Sequence, residues 1–357
     1  MKEDIRKILV IKLRAIGDVV LSTAVLPSLR NGFPGSEIHF LVDHSGRDVL
    51  IGNPCVDRIL SPPHSKKDRS GRKIRQGDAL RFLKMIRKEK YDLVFDLFGN
   101  PRSAFLTWIT AAPMRVGFTF RGRKYAYNCR VVPRGDRIHE VEFNLDGLRA
   151  LGLPIVDAFP RFYYSDKDKD VIDRWMKKRG LENTFLIGLH CWGGWETKRW
   201  GLDRFAALSD LLSKVKEAKI LLLWGPGERK HAEKVQSLAH YPTFIAPETS
   251  LKQLGVLLSR CQIVIANDSG PMHISAAVGT PTVGIFGPTQ WKLQGPFGKG
   301  HRVVYKKGLS CLGCNRTSCK EMICMKNLGV DDVMQVVEKV IRQNSYIQEH
   351  QKELNCL

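Results

Sequence analysis

The sequence predicts an α/β protein built as two Rossmann-like, doubly wound parallel-sheet domains facing a central cleft. Three observations predict it. Continuous apolar runs such as "KILVIKL" and "IVIA" suit strands covered on both faces. Each run is followed by a polar loop and a helix-spaced segment, the alternation that gives parallel pairing through right-handed crossovers. The scheme occurs twice, over 357 residues, more than one comfortable core.

The first half opens with the strand "KILVIKL", a short loop "RAIGD" and the helical "VVLSTAVLPSLR". Then come "EIHFLV" and "VDRIL" as strands, "DALRFLKMIRKEK" as a helix and "YDLVFDLF" as a strand. The second half repeats the rhythm with "FLIGLH", a helix from Leu202 to about Lys216, "KILLLW", "GPGERKHAEKVQSLA", "PTFIA", "SLKQLGVLLS", "CQIVIAND" and "PTVGIFG". Between the halves "GLPIVDAFPRFYYSDKDKD" carries two prolines and a charge run, which places the boundary near Asp166. Domains are expected over 1–165 and 166–335, with a helix or tail over 336–357 that packs back on the first domain. Ser165 or Asp166 is expected to cap the helix "VIDRWMKKRGL", which accounts for the spaced aspartates without a metal.

Composition narrows the class. With 43% hydrophobic and 26% charged residues the chain is globular. Its longest uninterrupted apolar run, "AFLTWITAAP", is about half of the roughly 20 residues a bilayer span needs. Met1 to Arg6 is polar and leads straight into a strand, so no secretory leader is expected and a cytoplasmic location is. The net charge is +21, and residues 51–150 hold 21 Lys and Arg against 10 Asp and Glu, an excess of 11. Such an excess is either a solvated face or a surface for an acidic partner: nucleic acid, anionic lipid or a phosphorylated substrate. Helix-turn-helix, zinc-finger and RNP-type signals are missing, which disfavours nucleic acid.

The stretch "IVIANDSGPMHISAAVGTPTVGIFGPT", Ile263 to Thr289, interrupts two apolar runs with a polar knot. Ser269 and Gly270 permit close backbone approach, Pro271 suits a first helical turn, and the N–H groups behind them attract an anion such as a diphosphate. The competing account is structural, with Asp268 simply capping the helix. No G-x-G-x-x-G and no G-x-x-x-x-G-K-[ST] occurs, so neither standard phosphate fingerprint serves. Two further loops fall at strand ends of the same half. "CWGGWETKRW" offers Gly193 and Gly194 for a tight turn and Lys198 as a point charge. "WGPGERKHAE" offers Glu228, a carboxylate for ribose hydroxyls or a first-turn helix acid. Together they suit a nucleoside diphosphate. In the first half Asp18 stands where loop becomes helix, as an N-cap or as a base directed at the nucleotide.

In "ILVIKLRAIGDVVLSTAVLPSLR", "YDLVFDLFGNPRSAFL", "ETKRW" and "ANDSGPMHISAAVGTPTVGIFGPT" the chain resembles glycosyltransferase family 9, the ADP-heptose:lipopolysaccharide heptosyltransferases. These segments span nearly the whole chain in the family's order. The resemblance implies a GT-B architecture with an acceptor-binding N-terminal domain and a C-terminal domain that holds the donor. It implies inverting, metal-independent transfer of heptose from ADP-heptose to the inner core of lipopolysaccharide, with no cofactor. Asp18 then matches the catalytic base and Lys198 the lysine on the donor phosphates. Glu228 matches the acid on the ribose, Asp268, Ser269, Gly270 and His273 the donor loop, and Thr249 the adenine site. Trp192 and Trp195 depart from the small or hydroxyl residues expected in that loop, which bears on donor identity. The acceptor would be a phosphorylated lipid A–core, which gives Arg102, Arg121, Arg123 and Lys124 a role as a phosphate clamp and the remaining basic residues an anionic membrane on the cytosolic face of the inner membrane. A related enzyme on the same scaffold, using another nucleotide sugar for transfer or epimerisation, is the nearest rival.

Nine cysteines form no even framework. Cys55, Cys129, Cys191, Cys261 and Cys356 are scattered, as in a reducing compartment. Cys311, Cys314, Cys319 and Cys324 are spaced C-x2-C-x4-C-x4-C, open to a metal, to free thiols or to disulfides.

Overall fold

The computed structural model describes residues 5–63, 76–119, 123–132, 134–135 and 138–354. It divides into two compact units, Met1–Tyr163 and Tyr164–Leu357.

The first unit holds β1 (Lys7–Ile11), β2 (Glu37–Leu41), β3 (Arg58–Leu60), β4 (Leu93–Asp96), β5 (Met114–Phe118) and β6 (Cys129–Val131). They form one sheet in the order β3-β2-β1-β4-β5-β6. The second unit holds β7 (Leu186–His190), β8 (Lys219–Leu223), β9 (Thr243–Ile245), β10 (Ile263–Asn267), β11 (Thr282–Ile285) and β12 (Arg302–Val304), in the order β12-β11-β10-β7-β8-β9. Every pairing is parallel. Each sheet grows outward from its first strand in both directions, so strand order reverses beside β1 and beside β7. In such sheets ligands bind past the carboxyl ends at that switch point.

The apolar runs become strands because both sheet faces are covered. All five residues of β7 and of β10 are buried, as are four of the five in β1. Four strands are legible in the first half; the sheet has two more, β5 and β6, short strands at the far edge. The segment after β1 turns helical earlier than its sequence suggests, at Ile16, and runs to Ser22 before a short 3₁₀ turn. Ser165 caps the Asp166–Lys178 helix and exchanges bonds with Asp168, as expected for a capping box.

The C-terminal segment is helical. It is one helix, Val330–Leu354, and Val333, Val337, Val340 and Ile341 are buried in the second unit's own core beside Trp200 and Phe205. This apolar side is spent on the second unit's own core. Among the described residues no helix is long and apolar enough to cross a membrane.

Candidate active site

The second unit gathers its polar side chains past the carboxyl ends of β7, β8 and β10. The loop after β10 is held from below. Met272, in the first turn of the Gly270–Ala277 helix, packs on β11 where Gly284 leaves room; a methyl at Gly284 would lie 2.6 Å from the Met272 sulfur. Ser269, not Asp268, occupies the N-cap position, and its side chain makes no capping bond. The expectation that Asp268 caps this helix is therefore corrected. The Asp268 carboxylate turns instead to Lys198 Nζ at 2.7 Å and accepts from Thr289 Oγ1 at 2.6 Å. Gly270 and His273 lie within this first turn, His273 buried.

Lys198 ends the 3₁₀ turn Glu196–Lys198 in the loop after β7, and its ammonium sits 4.4 Å from the centre of the Trp195 ring. The same loop is tied to β10 by Asn267, whose amide donates to the Cys191 carbonyl at 3.0 Å and accepts from the Trp200 N–H at 3.3 Å. Gly193 and Gly194 lead into the 3₁₀ turn without a positive φ. Their effect is space. A Cβ on Gly193 would stand 3.9 Å from the Asp268 carbonyl oxygen, and one on Gly194 would meet nothing within 4 Å.

Glu228 follows β8 and precedes the Arg229–Leu238 helix. Its carboxylate accepts from the Gly225 N–H at 2.9 Å and lies 3.5 Å from His190 Nε2. Burial opposes its charge, yet the His190 contact and the Gly225 N–H outweigh burial and hold its pKa below the usual carboxylate range. The other nitrogen of His190, Nδ1, faces the Ser269 hydroxyl at 3.3 Å. His190 thus connects Glu228 to the loop after β10, and Thr289 connects that loop to the turn after β11. Sequence reasoning missed both residues. A histidine closing the buried run "FLIGLH" was the signal for one, and the polar end of "GIFGPT" for the other.

Trp192 is enclosed. Its ring stacks on His231 with centroids 3.3 Å apart at 12°, and the Arg199 guanidinium lies 3.8 Å from its other face. Arg199 is fixed in turn by the Gly193 carbonyl at 2.9 Å. Trp192 therefore offers neither face to a base. Thr249 lies in the loop after β9, the strand beside β8, half-buried and one residue before the Ser250 cap of the next helix.

In the first unit Asp18 is not an N-cap. It is the third residue of the Ile16–Ser22 helix, and its carboxylate reaches back to accept from the Ala15 N–H at 3.0 Å. Beside it, Lys12 at the carboxyl end of β1 is 3% exposed and donates to Glu140 at 2.6 Å and to the Leu97 carbonyl at 3.0 Å. Burial works against the Lys12 charge, but Glu140, Asp18 and Asp96 overcome it and raise the Lys12 pKa. Asp96, at the end of β4, accepts from the Phe98 and Gly99 N–H groups and from the Tyr127 hydroxyl. Arg102 stands in the first turn of the Pro101–Thr110 helix, 3.5 Å from Asp43. Arg123 donates to the Gly99 carbonyl just before that helix, at 2.8 Å. The structure thus brings Arg102 and Arg123 to one helix start. Lys124 begins a short 3₁₀ turn, and Arg121 lies outside the described residues.

Cys311, Cys314, Cys319 and Cys324 are all free thiols and line one cavity of about 170 Å³ with Thr197 and Pro288. Among the described residues no group of three His, Cys, Asp or Glu side chains is arranged to hold a metal ion.

Two doubly wound parallel sheets in tandem are the GT-B architecture of nucleotide-sugar glycosyltransferases. The model of glycosyltransferase family 9 (heptosyltransferase) matches residues 79–324, and the chain belongs to that family. Lipopolysaccharide heptosyltransferase 1 of Campylobacter coli is 27% identical over 94% of this chain and 98% of its own. Lipopolysaccharide heptosyltransferase 3 of Escherichia coli is 27% identical over 78% of this chain and 82% of its own. In fold, the chain matches a family 9 glycosyltransferase of Veillonella parvula with a TM-score of 0.80 at 22% identity, covering 96% and 99% of the two chains. The E. coli heptosyltransferase WaaC, solved with ADP, matches with a TM-score of 0.72 at 20% identity over 94% of this chain and 99% of that one.

Proposed function

We propose that this protein is an inverting heptosyltransferase that moves heptose from ADP-heptose onto the inner core of lipopolysaccharide. The observation that carries the reading is the start of the Gly270–Ala277 helix. Ser269 leaves the first-turn N–H groups uncapped, with Lys198 one residue away across Asp268. A helix start and a lysine together stabilise a diphosphate, and they do so more strongly as charge grows on the departing ADP. That electrostatic support makes a metal unnecessary, and no cofactor is invoked. Glu228 takes the ribose hydroxyls, and Thr249 lines the adenine.

In the transfer step the acceptor hydroxyl oxygen attacks the anomeric carbon from the face opposite ADP. The bond to the diphosphate oxygen breaks and its electron pair leaves with ADP. The hydroxyl proton passes to the Asp18 carboxylate. The domain over 1–165 holds the acceptor, with Arg102, Arg121, Arg123 and Lys124 on its phosphates, and the domain over 166–335 holds the donor. Similarity to the curated lipopolysaccharide heptosyltransferases supports the acceptor class. The enzyme works in the cytoplasm, at the inner face of the membrane that carries its acceptor.

The test is direct. Purified protein in EDTA, given ADP-heptose and a heptose-less lipopolysaccharide, should add one heptose by mass spectrometry, with the anomeric configuration inverted by NMR. A strain without the gene should accumulate a core lacking that residue. Transfer that appears only after metal is restored would sink the metal-free account, and an unchanged core would sink the activity.

A further inference from the structure

Two helices on one face of the first sheet carry exposed side chains that neither the core nor the proposed chemistry uses. The Gln76–Lys88 and Pro101–Thr110 helices lie side by side. Leu83, Ile86, Leu106 and Ile109 share one apolar cluster, and the Arg87 guanidinium donates to the Ile109 carbonyl at 3.2 Å. With that side spent on the core, amphipathic helices should turn polar residues outward. Instead Leu80 is 55%, Phe105 41% and Trp108 51% exposed. Phe105 and Trp108 stand three residues apart on one helical stripe, with ring centroids separated by 6.3 Å. Tyr125, 58% exposed, sits in the short turn packed beside the same helix. An exposed aromatic pair of this kind, with further apolar side chains exposed on the neighbouring elements, marks an interaction surface.

Charge selects the occupant. The two helices carry Arg81, Lys84, Arg87, Lys88 and Arg102 against one acid, Asp78, which is already paired with Arg81 at 2.7 Å. Lys84 and Lys88, with Lys7 and Arg81, line an open recess of about 470 Å³. The one acid in its wall, Glu89, is held by Lys7 and Arg58. Aromatic side chains bordered by Lys84, Arg87 and Lys88, which form no ion pair among the described residues, match the two layers of an anionic bilayer surface. The rings settle at headgroup depth and the cations meet lipid phosphates. Arg102 lies on the same stripe as Phe105 and Trp108, so the patch begins at an arginine assigned above to the acceptor phosphates.

We propose that this face, the outer side of the Gln76–Lys88 and Pro101–Thr110 helices, seats the protein on an anionic membrane. The choice of partner rests on the reading that the acceptor is a membrane lipid; the patch itself does not. Flotation of the full-length protein with phosphatidylglycerol–phosphatidylcholine vesicles tests it. Wild type should float with these vesicles, float poorly with pure phosphatidylcholine, and detach in high salt. Phe105→Ser/Trp108→Ser should weaken binding at least tenfold at an unchanged melting temperature. Lys84→Gln/Lys88→Gln should weaken it about twenty-fivefold, at about fivefold per basic residue. Both variants should retain wild-type turnover on a deacylated, water-soluble acceptor. Equal flotation of the wild type and the Phe105/Trp108 variant would overturn the proposal, as would equal binding to neutral and anionic vesicles. A wild-type dimer that this variant splits, with flotation unchanged, would assign the face to a second copy of the chain. Failure of wild type and variants alike on the soluble acceptor, with flotation intact, would refute the transferase reading and leave the docking face standing.

Discussion

Asp18→Asn separates chemistry from architecture, because the structure shows what the carboxylate does for the helix. Asp18 accepts one N–H, from Ala15 at 3.0 Å, in the first turn of a seven-residue helix. An asparagine carbonyl can accept the same bond, so the substitution removes only the charge. The lost charge forfeits its interaction with the helix start, worth about 0.3–1 kcal/mol. Asp18→Ala loses the hydrogen bond as well, about 1 kcal/mol more. For a unit of this size about 1 kcal/mol moves the midpoint by roughly 2–4 °C. Scanning calorimetry should therefore find Asp18→Asn about 1–3 °C below wild type and Asp18→Ala about 3–7 °C below. Turnover follows a different order. Neither variant can take the acceptor proton, so both should fall at least about a hundredfold, within the 10²–10⁴ range for general-base loss. ADP affinity, measured by titration calorimetry, should be unchanged in both. An Asp18→Asn enzyme that kept more than about a tenth of its turnover would refute the base assignment and leave Asp18 a helix-start residue.

Removing Lys198 should strand the nearly buried Asp268 charge, so Lys198→Ala should lose about 3–5 kcal/mol of stability along with ADP affinity. Lys198→Ala/Asp268→Asn should recover most of the stability in denaturant melts and none of the affinity; recovery of both would show that Lys198 is structural. Glu228→Gln should abolish discrimination between ADP and 2′-deoxy-ADP, which wild type should favour by about ten- to a hundredfold through a charge-assisted bond to the ribose. Equal binding of the two nucleotides by wild type would remove Glu228 from that role. Burial, then Arg302, pushes His301 down to about 4 from 6.5, so the unfolded chain binds its proton first. Its contribution is complete above pH 6.5 and is lost as pH falls toward 4, by about 3 kcal/mol at 1.36 kcal/mol per unit. His301→Gln should flatten that part of the stability–pH curve, and an unchanged slope would refute the assignment.

What was legible in the sequence is what local pattern encodes. The run from Ile263 to Asn267 reads as a strand because every residue of it is buried, and the knot behind it reads as a site because buried chain rarely stops for polar residues without a reason. Lys198 and Glu228 stand out for the same cause, in the loops that follow apolar runs. What was not legible depends on partners distant in sequence. Lys12 looks like a solvated residue inside "VIKLR" until Glu140 is brought to 2.6 Å. Trp192 reads only as a departure from the small residues expected in its loop, and its enclosure by His231 and Arg199 depends on partners the local pattern does not show. The position of Asp18 was misjudged because Ile16 and Gly17 carry no helix signal, yet the backbone turns there. Strands β5 and β6 were passed over because "MRVGF" and "CRV" are short and mixed, and only their neighbours in the sheet make them strands.

On the function proposed above, the Lys198–Asp268 contact sets the terms on which the donor diphosphate binds and leaves. At 2.7 Å the ammonium already has a carboxylate partner, so an arriving diphosphate replaces one negative group with another. Affinity for the resting nucleotide then reflects the difference between the two attachments and stays modest. As the glycosidic bond stretches, the diphosphate gains charge that Asp268 cannot match, and the lysine transfers its allegiance at the moment when help lowers the barrier. On the same reading Asp268 competes with the spent ADP for Lys198, which favours product release.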